Sequence, residues 1–286
     1  MTAISGKTTV AGIIGWPVSH SLSPLMHNAA FAALGLDWAY VPFPVAPDAL
    51  PAAVAGLAAL GGAGFNVTIP PKVAIMPLLD RVSPEAELIG AVNTVLVRDG
   101  KLTGFNTDGI GLLAALSGKL GFTPAGRSVL VLGAGGAARS AVASLCGAGA
   151  ARVAVANRSL EKAQSLGSQL AGRLAGTILS AEPLERLCAP GFLGSFDLVV
   201  NTTSVGMAGD SFQELDLLRL KSGAVVYDMV YAPPLTPLLA RAAECGVRGA
   251  NGLGMLVAQG EAAFSIWTGA APPEGCMERA LTGLAG

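Results

Sequence analysis

Residues 129–138 read VLVLGAGGAA, an apolar run that ends in closely spaced glycines and small residues. This pattern is typical of a buried strand that turns into a helix whose first amides bind the pyrophosphate of a dinucleotide. Gly133 permits the tight turn, Gly135 lets backbone N–H groups approach the phosphates, and Ala138 lets the helix pack closely on the strand. Because glycine-rich turns also serve packing alone, the neighbouring sequence has to decide between these two interpretations.

Asn157, Arg158 and Ser159 follow the next predicted strand, about twenty residues after the glycines. An NAD-preferring site places a carboxylate at this point, against the ribose 2′-hydroxyl, and none of the three residues is an acid. Together with Lys162 they offer hydrogen-bond donors and positive charge, which suit a 2′-phosphate. The alternative is a solvated helix start, but cations near a helix N-terminus are mildly unfavourable. The sequence therefore predicts NADP as the cofactor.

The composition narrows the class of protein. The chain has 286 residues, enough for two domains, with 52% hydrophobic and 13% charged residues. Its two long charge-free stretches are interrupted by prolines and polar residues, so we expect no membrane span and, without a recognisable signal peptide, a cytoplasmic location. A net charge of −1 offers no basic surface for nucleic acid. Two histidines and four cysteines without paired spacing predict no metal site.

Apolar strand-like runs alternate with helical stretches rich in Ala and Leu, which is the pattern of an α/β fold. From residue 128 onward, four predicted strands with helices between them imply a doubly wound parallel sheet. The apolar helix predicted for residues 252–267 is expected to return to the first domain. We therefore expect an amino-terminal α/β substrate domain, residues 1–108 joined by 252–286, and a Rossmann NADP-binding domain, residues 109–251. The active site is expected in the cleft between them.

A predicted hairpin would bring together two polar segments that are separate in the sequence, so that they form one site. Asp99 and Gly100 are a two-residue turn signal between two strand-like runs. The register that this turn fixes places Asn93 opposite Asn106, with Asp108 diagonal to Asn93 on the same face of the ribbon.

Two pairs of polar residues alternate along extended segments. Ser21 and Ser23 would share one face if their segment is extended, forming a clamp for a carboxylate or for vicinal hydroxyls. The alternative for Ser23 is the N-cap of the helix that Pro24 begins. Asn66 and Thr68 repeat the alternation at the end of a predicted strand, residues 64–69, with a satisfied turn as the alternative.

Lys72 follows two prolines and is predicted to lie in the first turn of a helix, where the positive end of the helix dipole favours proton transfer. Asp108 is its natural partner. A lysine and a carboxylate near a substrate oxygen can move a proton while a hydride passes to or from a nicotinamide. The alternative for Lys72 is an ordinary surface charge.

These segments resemble the shikimate dehydrogenase family, and the resemblance spans most of the chain. It rests on GWPVSHSLSP (15–24), NVTIPPK (66–72), GAVNT (90–94), GFNTDG (104–109), GAGGAA (133–138), NRS (157–159) with Lys162, NTTSVGM (201–207), YDMVY (227–231) and NGLGMLVAQ (251–259). The resemblance implies reversible reduction of 3-dehydroshikimate to shikimate by NADPH.

The resemblance also implies roles for individual residues. Ser21 and Ser23 would bind the substrate carboxylate with Tyr231, and the paired asparagine and aspartate motifs would hold the ring hydroxyls. The implied substrate residues are Ser21, Ser23, Asn66, Thr68, Asn93, Tyr231 and Gln259, and the catalytic pair is Lys72 and Asp108. The implied cofactor residues are Gly133, Ala134, Gly135, Gly136, Ala137, Asn157, Arg158, Ser159, Lys162, Thr203, Met229, Gly252 and Met255. Which of Lys72 and Asp108 is the formal acid stays open.

Two other functions remain in view. A quinate/shikimate dehydrogenase tolerates an additional ring hydroxyl and often uses NAD, and the lack of an acid directly after Ala156 argues against its NAD-linked form. A non-catalytic NADP-sensing protein would not need Lys72 and Asp108 together. Composition leaves the choice between a monomer and a homodimer open.

Overall fold

The computed structural model describes residues 4–68, 71–171 and 176–282, which form a mixed α/β fold. The chain divides into two compact units, Met1–Thr107 with Leu256–Gly286, and Asp108–Met255. The strands are β1 (Thr9–Gly15), β2 (Trp38–Pro44), β3 (Gly64–Val67), β4 (Arg81–Val82), β5 (Thr94–Arg98), β6 (Lys101–Phe105), β7 (Ser128–Leu132), β8 (Arg152–Asn157), β9 (Ile178–Pro183), β10 (Leu198–Asn201), β11 (Val225–Asp228) and β12 (Arg248–Asn251). The α-helices are α1 (Ser23–Ala33), α2 (Leu50–Ala59), α3 (Pro84–Ile89), α4 (Asp108–Leu120), α5 (Gly136–Gly147), α6 (Leu160–Ala171), α7 (Pro237–Glu244), α8 (Leu253–Thr268) and α9 (Cys276–Thr282).

The first unit is built on a mixed sheet in the order β2-β1-β3-β5-β6-β4. Strand β1 pairs in parallel with β2 and β3, while β3, β5 and β6 are antiparallel. Helix α8 is held on this sheet by Trp267, whose indole Nε1 donates to the Val95 carbonyl at 2.9 Å. A Cβ on Gly64 would overlap that indole, so the close approach of helix and strand requires glycine there.

The predicted hairpin is confirmed. Strands β5 and β6 pair in a register that places Arg98 opposite Lys101. Residues 99 and 100 both have positive φ, +52° and +70°, as a two-residue turn matched to the strand twist requires. Continued by one residue past the pair Thr94 and Phe105, the same register sets Asn93 opposite Asn106. The predicted position of Asp108 on the face of this ribbon is wrong, because β6 ends at Phe105 and Asp108 begins helix α4.

The second unit carries the predicted doubly wound sheet, with six parallel strands in the order β12-β11-β10-β7-β8-β9. Its core contains the fully buried Leu130, Leu132, Val199 and Val226. The outermost strands β9 and β12 were not predicted. Both are edge strands with no fully buried residue, so neither carries the apolar run by which a central parallel strand is recognised.

Two predictions around Lys72 need correction. Strand β3 ends at Val67, and residue 69 of the predicted strand lies outside the described residues. Lys72 lies in a turn that precedes a short 3-10 helix, Met76–Leu78, and not in an α-helix. Pro77 accounts for the difference, because a proline has no N–H to donate and its ring crowds the carbonyl four residues earlier.

The predictions for the serine pair are also wrong in detail. Helix α1 begins at Ser23 with Leu22 at the N-cap position, and no side chain caps it. Leu22 has φ −85° and ψ −7°, which is helical backbone and not an extended segment. Ser21 and Ser23 are therefore neither alternating residues of a strand nor a helix cap, although the Ser23 amide lies 3.3 Å from Ser21 Oγ and donates to it.

Within the described ranges, no helix is both long enough and apolar enough to cross a membrane.

Candidate functional site

A network of buried side chains runs through the sheet of the first unit. Tyr40 on β2 donates from its hydroxyl to Asn66 Oδ1 at 2.6 Å. Asn66, on β3, donates from Nδ2 to Thr94 Oγ1 at 3.0 Å and to the Asn93 carbonyl at 3.2 Å. Tyr40 and Asn66 are 2% and 4% exposed, so these bonds replace water that neither side chain can reach. The network therefore fixes the orientation of both amide atoms of Asn66.

The network continues from Asn93 to the start of the next helix and to α8. Asn93 Oδ1 accepts from the Thr107 amide at 2.8 Å, and its Nδ2 donates to Thr107 Oγ1 at 3.0 Å. Gln259 on α8 brings its Oε1 to 3.5 Å from both Asn93 Nδ2 and Thr107 Oγ1, and donates to the Leu256 carbonyl at 2.9 Å. Three segments far apart in sequence thus meet at one cluster of amides and hydroxyls.

Main-chain bonds tie Thr68 to strand β1 and Lys72 to the segment just before β5. The Thr68 amide donates to the Ile14 carbonyl at 3.0 Å, and the Val92 amide donates to the Lys72 carbonyl at 2.8 Å. The second bond anchors the backbone of Lys72 to the residue that precedes Asn93. The predicted residues Asn66, Thr68, Lys72, Asn93 and Gln259 are accordingly gathered in the first unit.

Ser23 joins this network through Tyr40. Ser23 is 3% exposed, and its hydroxyl forms a hydrogen bond with the Tyr40 phenol. Burial raises the pKa of Tyr40 well above its usual value, in spite of that bond, so Tyr40 keeps its proton and acts as a neutral donor.

Asp108 opens the second unit as the first residue of α4 and is 5% exposed. It follows Thr107 directly in the chain. In its own unit, Ser140 of α5 places its hydroxyl 3.5 Å from Asp108 Oδ2. The pairing of Asp108 with Lys72 stays a prediction.

The glycine turn after β7 has the geometry expected for a dinucleotide. Gly133 has φ +108°, and a Cβ there would lie 2.7 Å from Thr202 Oγ1 and from Thr203 Cγ2. Gly135 is the extended N-cap residue of α5. A Cβ on Gly135 or Gly136 would meet no described atom within 4 Å. Side chains at these two positions would thus point into open space, and the helix that starts here has the free first amides that bind pyrophosphate in such turns.

The segment after β8 contains a carboxylate that the sequence argument passed over. Asn157 donates from Nδ2 to the Ser159 carbonyl at 2.8 Å, and Ser159 Oγ donates to Glu161 Oε2 at 2.8 Å. The two predicted basic residues, Arg158 and Lys162, are both exposed, but one acid, Glu161, lies among them, and the 2′-phosphate site stays a prediction.

A buried carboxylate, Asp228, organises the ends of β10 and β11. It accepts hydrogen bonds from Thr236 Oγ1 at 2.6 Å, Asn201 Nδ2 at 2.8 Å and the Val230 amide at 3.0 Å. Asn201 Oδ1 in turn accepts from the Thr203 amide at 2.9 Å. Burial raises the pKa of Asp228, and these bonds oppose that rise. Asp228 therefore holds the backbone next to two predicted cofactor residues: next to Met229 directly, through the Val230 amide, and at Thr203 indirectly, through Asn201.

The remaining predicted residues of the second unit come shortly after two strands in sequence: Met229 and Tyr231 after β11, and Gly252 and Met255 after β12. A Cβ on Gly252 would overlap the Met229 carbonyl, so the two chain segments touch at backbone distance. Met255 lies in the first turn of α8. Burial raises the pKa of Tyr231, which favours its neutral, donating form.

The networks also contain residues that were not predicted as site residues, among them Tyr40, Thr94, Thr107, Asn201, Asp228 and Thr236. Thr94 and Thr107 lie beside predicted residues, and the hairpin register could have found them. Tyr40 is 26 residues from its partner Asn66, and no local pattern links the two. In the part of the chain that the structure describes, no group of three or more His, Cys, Asp or Glu residues could hold a metal ion.

Three family models match the chain. They are described as shikimate dehydrogenase substrate binding domain, over residues 13–95, shikimate / quinate 5-dehydrogenase, over residues 118–206, and shikimate 5′-dehydrogenase C-terminal domain, over residues 252–282.

Similar proteins cover the chain almost completely. Shikimate dehydrogenase (NADP(+)) of Citrifermentans bemidjiense is 73% identical over 278 residues, which is 97% of this chain and 96% of that protein. A solved shikimate dehydrogenase in complex with NADP+ is 40% identical with a TM-score of 0.91, covering 99% of this chain and 98% of that one. Shikimate 5-dehydrogenase of Thermus thermophilus in complex with NADP(H) and shikimate is 38% identical with a TM-score of 0.84, covering 96% and 99%.

Proposed function

The chain belongs to the shikimate dehydrogenase family, and we propose that the buried network around Asn66 and Asn93 is the part of it that recognises the substrate. The protein is an NADP-dependent oxidoreductase that acts on a CH–OH group and interconverts 3-dehydroshikimate and shikimate. The observation that carries the residue assignment is that separate segments of the first unit bring amides and hydroxyls to one buried cluster.

The chemistry of the cluster suits a ring with several hydroxyls. Each ring hydroxyl both donates and accepts, and an amide or a threonine can complement it in either direction. Asn66 uses both N–H groups and one Oδ1 lone pair within the protein, so we assign it a single accepted bond from the substrate. Thr68, Asn93 and Gln259 complete the ring contacts.

The substrate carboxylate is assigned to neutral donors. Ser21, just before α1, and Ser23, its first residue, supply hydroxyls, and Tyr231 supplies a phenol. The Ser23 hydroxyl can donate to the carboxylate only after it gives up its bond to the Tyr40 phenol. Hydrogen bonds to a charged group are worth about twice those between neutral groups, so three neutral donors can offset the loss of water around one carboxylate.

Lys72 and Asp108 are proposed to manage the proton on the reacting oxygen. A lysine near the carbonyl stabilises the negative charge that develops on that oxygen and can donate the proton, and a carboxylate partner keeps the lysine oriented. The main-chain bond between Lys72 and Val92 gives the lysine a fixed base next to Asn93. Which of the two is the formal acid stays open in this proposal.

The cofactor is assigned to the second unit. NADPH supplies the hydride when bound. The glycine turn and the first amides of α5 would hold its pyrophosphate, through Gly133, Ala134, Gly135, Gly136 and Ala137. The 2′-phosphate would be held by Asn157, Arg158, Ser159 and Lys162. The nicotinamide side of the cofactor would contact Thr203, Met229, Gly252 and Met255.

The domain roles follow from these assignments: the first unit binds substrate and the second binds NADP. A cytoplasmic location and a monomeric or homodimeric state belong to the same proposal. Light scattering of the purified protein distinguishes a monomer from a dimer.

Steady-state rates with shikimate and with quinate, each with NADP+ and NAD+, test the proposal. We expect shikimate with NADP+ to give the highest kcat/KM. Comparable rates with quinate would favour the broader quinate/shikimate dehydrogenase. Binding of NADP+ without any shikimate-dependent reduction would instead favour a non-catalytic NADP sensor.

A further inference from the structure

Glu161 lies among the residues proposed to hold the 2′-phosphate and has no role in that assignment. It is the second residue of α6 and its side chain is exposed. Arg158 and Lys162 provide two positive charges in this short segment, and Glu161 adds one negative charge between them in sequence. The net charge offered to a phosphate is therefore smaller than the basic residues alone suggest.

The single proton of the Ser159 hydroxyl is already in use. Ser159 Oγ donates to Glu161 Oε2 at 2.8 Å, and a serine hydroxyl has only one proton to donate. The Ser159 carbonyl accepts from Asn157 Nδ2 at 2.8 Å, which holds the backbone of this segment in place. Ser159 can donate to a phosphate only after its bond to Glu161 breaks.

Glu161 is ionised at neutral pH. Its own backbone N–H and the Ser159 hydroxyl both donate to the carboxylate and hold its pKa below the usual range. A 2′-phosphate carries a charge of about −1.5 to −2 at pH 7, which this carboxylate repels. A ribose 2′-hydroxyl, in contrast, can donate a hydrogen bond to a carboxylate.

We propose that Glu161 is a cofactor-specificity residue that lowers the preference for NADP over NAD, by holding the Ser159 hydroxyl and by repelling the 2′-phosphate. This inference rests on the proposed placement of the 2′-phosphate at Asn157, Arg158, Ser159 and Lys162. Arg158 and Lys162 outweigh a single carboxylate, so the net preference for NADP is retained.

The first test compares the dissociation constants of NADP+ and NAD+ for the full-length protein and two variants. In Glu161→Gln, which removes the charge but keeps an acceptor for Ser159, we expect NADP+ to bind about fivefold more tightly and NAD+ to bind no more tightly. The matched control is Glu85→Gln, because Glu85 is also exposed in the first turn of a helix, α3. The control should leave the ratio of the two constants unchanged.

Ionic strength separates a charge effect from a change in local structure. The Debye length falls from about 10 Å at 0.1 M salt to about 3 Å at 1 M. The increase in NADP+ affinity relative to NAD+ affinity that Glu161→Gln produces should therefore be smaller at 1 M NaCl. A gain that is equally large at both salt concentrations would contradict repulsion as its cause.

A second set of variants tests the hydroxyl. Ser159→Ala should weaken NADP+ binding by less than about twofold in the wild-type background, where the proton is held by Glu161, and by about fivefold in a Glu161→Ala background, where it is released. Equal losses of NADP+ affinity in the two backgrounds would contradict the claim that the Ser159 hydroxyl donates its proton to Glu161.

The inference and the proposed function fail in different ways. If the wild-type protein binds NADP+ and Glu161→Gln leaves the ratio unchanged or lowers it, the inference is overturned and the cofactor assignment stands. If neutralising Arg158 and Lys162 together leaves NADP+ binding unchanged, the phosphate is held elsewhere, and both the inference and the proposed 2′-phosphate site are overturned. Circular dichroism of each variant checks that the fold is kept.

Discussion

In the first unit the candidate site consists of buried side chains that hydrogen-bond to one another, whereas in the second unit it consists of a glycine turn and the first amides of a helix. Asn66 and Asn93 are 4% and 2% exposed and have side-chain partners from other segments. Gly133 contributes no side chain, and its φ of +108° is the feature that matters. In the proposed function, the first unit would recognise its ligand through side chains from distant positions, whereas the pyrophosphate part of the cofactor would be held by local backbone geometry in the second unit.

This difference indicates which kind of substitution should disturb each unit most. A buried polar network loses a hydrogen bond and leaves a partner unsatisfied when one member is removed. A glycine turn loses its conformation when any Cβ is added. Catalysis should be most sensitive in the first unit, and the fold around the cofactor most sensitive at one glycine.

The largest effect is expected for Lys72→Ala. Loss of the proposed proton-handling group should lower kcat by about a thousandfold while KM for shikimate changes by less than about threefold. The substitution leaves in place the bond that Lys72 accepts from Val92, because that bond is made by its main chain, and circular dichroism checks that the variant folds. Lys101→Ala is the control, since Lys101 is an exposed lysine of the same unit. A kcat within about threefold of wild type would remove Lys72 from the mechanism.

The next effect tests the backbone side of the comparison. Gly133→Ala should lower the free energy of unfolding by about 3 kcal/mol, because the added Cβ meets Thr202 and Thr203 at 2.7 Å and the φ is strained for alanine. Gly118→Ala, at an exposed helix position where a Cβ meets no described atom within 4 Å, should instead stabilise by about 0.5–1 kcal/mol. Urea unfolding measures both, and similar changes for the two variants would contradict the assigned role of the turn.

His27 is the exception within the first unit, because neither ring nitrogen has a hydrogen-bond partner among the described residues. Its ring stacks on Tyr40 at 4.4 Å between centroids, and burial lowers the pKa of His27 from 6.5 to about 3. As pH falls below 6.5, the unfolded chain binds a proton that the folded chain excludes, so stability is present above this pH and is lost progressively down to about pH 3.

The expected loss from His27 alone between pH 7 and pH 5 is about 2 kcal/mol. His27→Phe should lack this loss while keeping the aromatic packing, and His27→Leu should lack it while being less stable at both pH values. Chemical denaturation at the two pH values measures it. If wild type and His27→Phe lose stability equally, His27 is not buried in its neutral form.

The smallest effect comes from two buried tyrosines, one in each unit. Tyr40→Phe removes the donor to Asn66 and should cost about 1–2 kcal/mol of stability and raise KM for shikimate. Tyr227→Phe should change stability by less than about 0.5 kcal/mol, because the Tyr227 hydroxyl has no partner with good hydrogen-bond geometry in the described part of the chain, although the Met255 backbone lies near enough to oppose the rise in its pKa. Equal costs for the two substitutions would show that the network around Asn66 contributes nothing beyond packing.

Several predictions from sequence succeeded because they depend on local rules. The hairpin at residues 99–100 follows from turn chemistry, and its register carried over to Asn93 and Asn106 without tertiary information. The parallel sheet of the second unit follows from its central apolar strands. The predicted α-helix at Lys72 is wrong because Pro77, five residues later, prevents the helix from continuing. The predicted extended segment at Ser21 and Ser23 is wrong because Leu22 has a helical backbone conformation.

The sequence by itself determined the α/β class and the glycine turn, and it predicted the cofactor segment after β8, because each depends on neighbouring residues and their φ/ψ preferences. Only the tertiary structure decided which buried side chains complete the network. Tyr40 reaches Asn66 because β2 and β3 both pair with β1, and Gln259 reaches Asn93 because α8 packs on the same sheet. Hydrogen bonds between distant segments depend on strand order and helix docking, and no local pattern of residues encodes them.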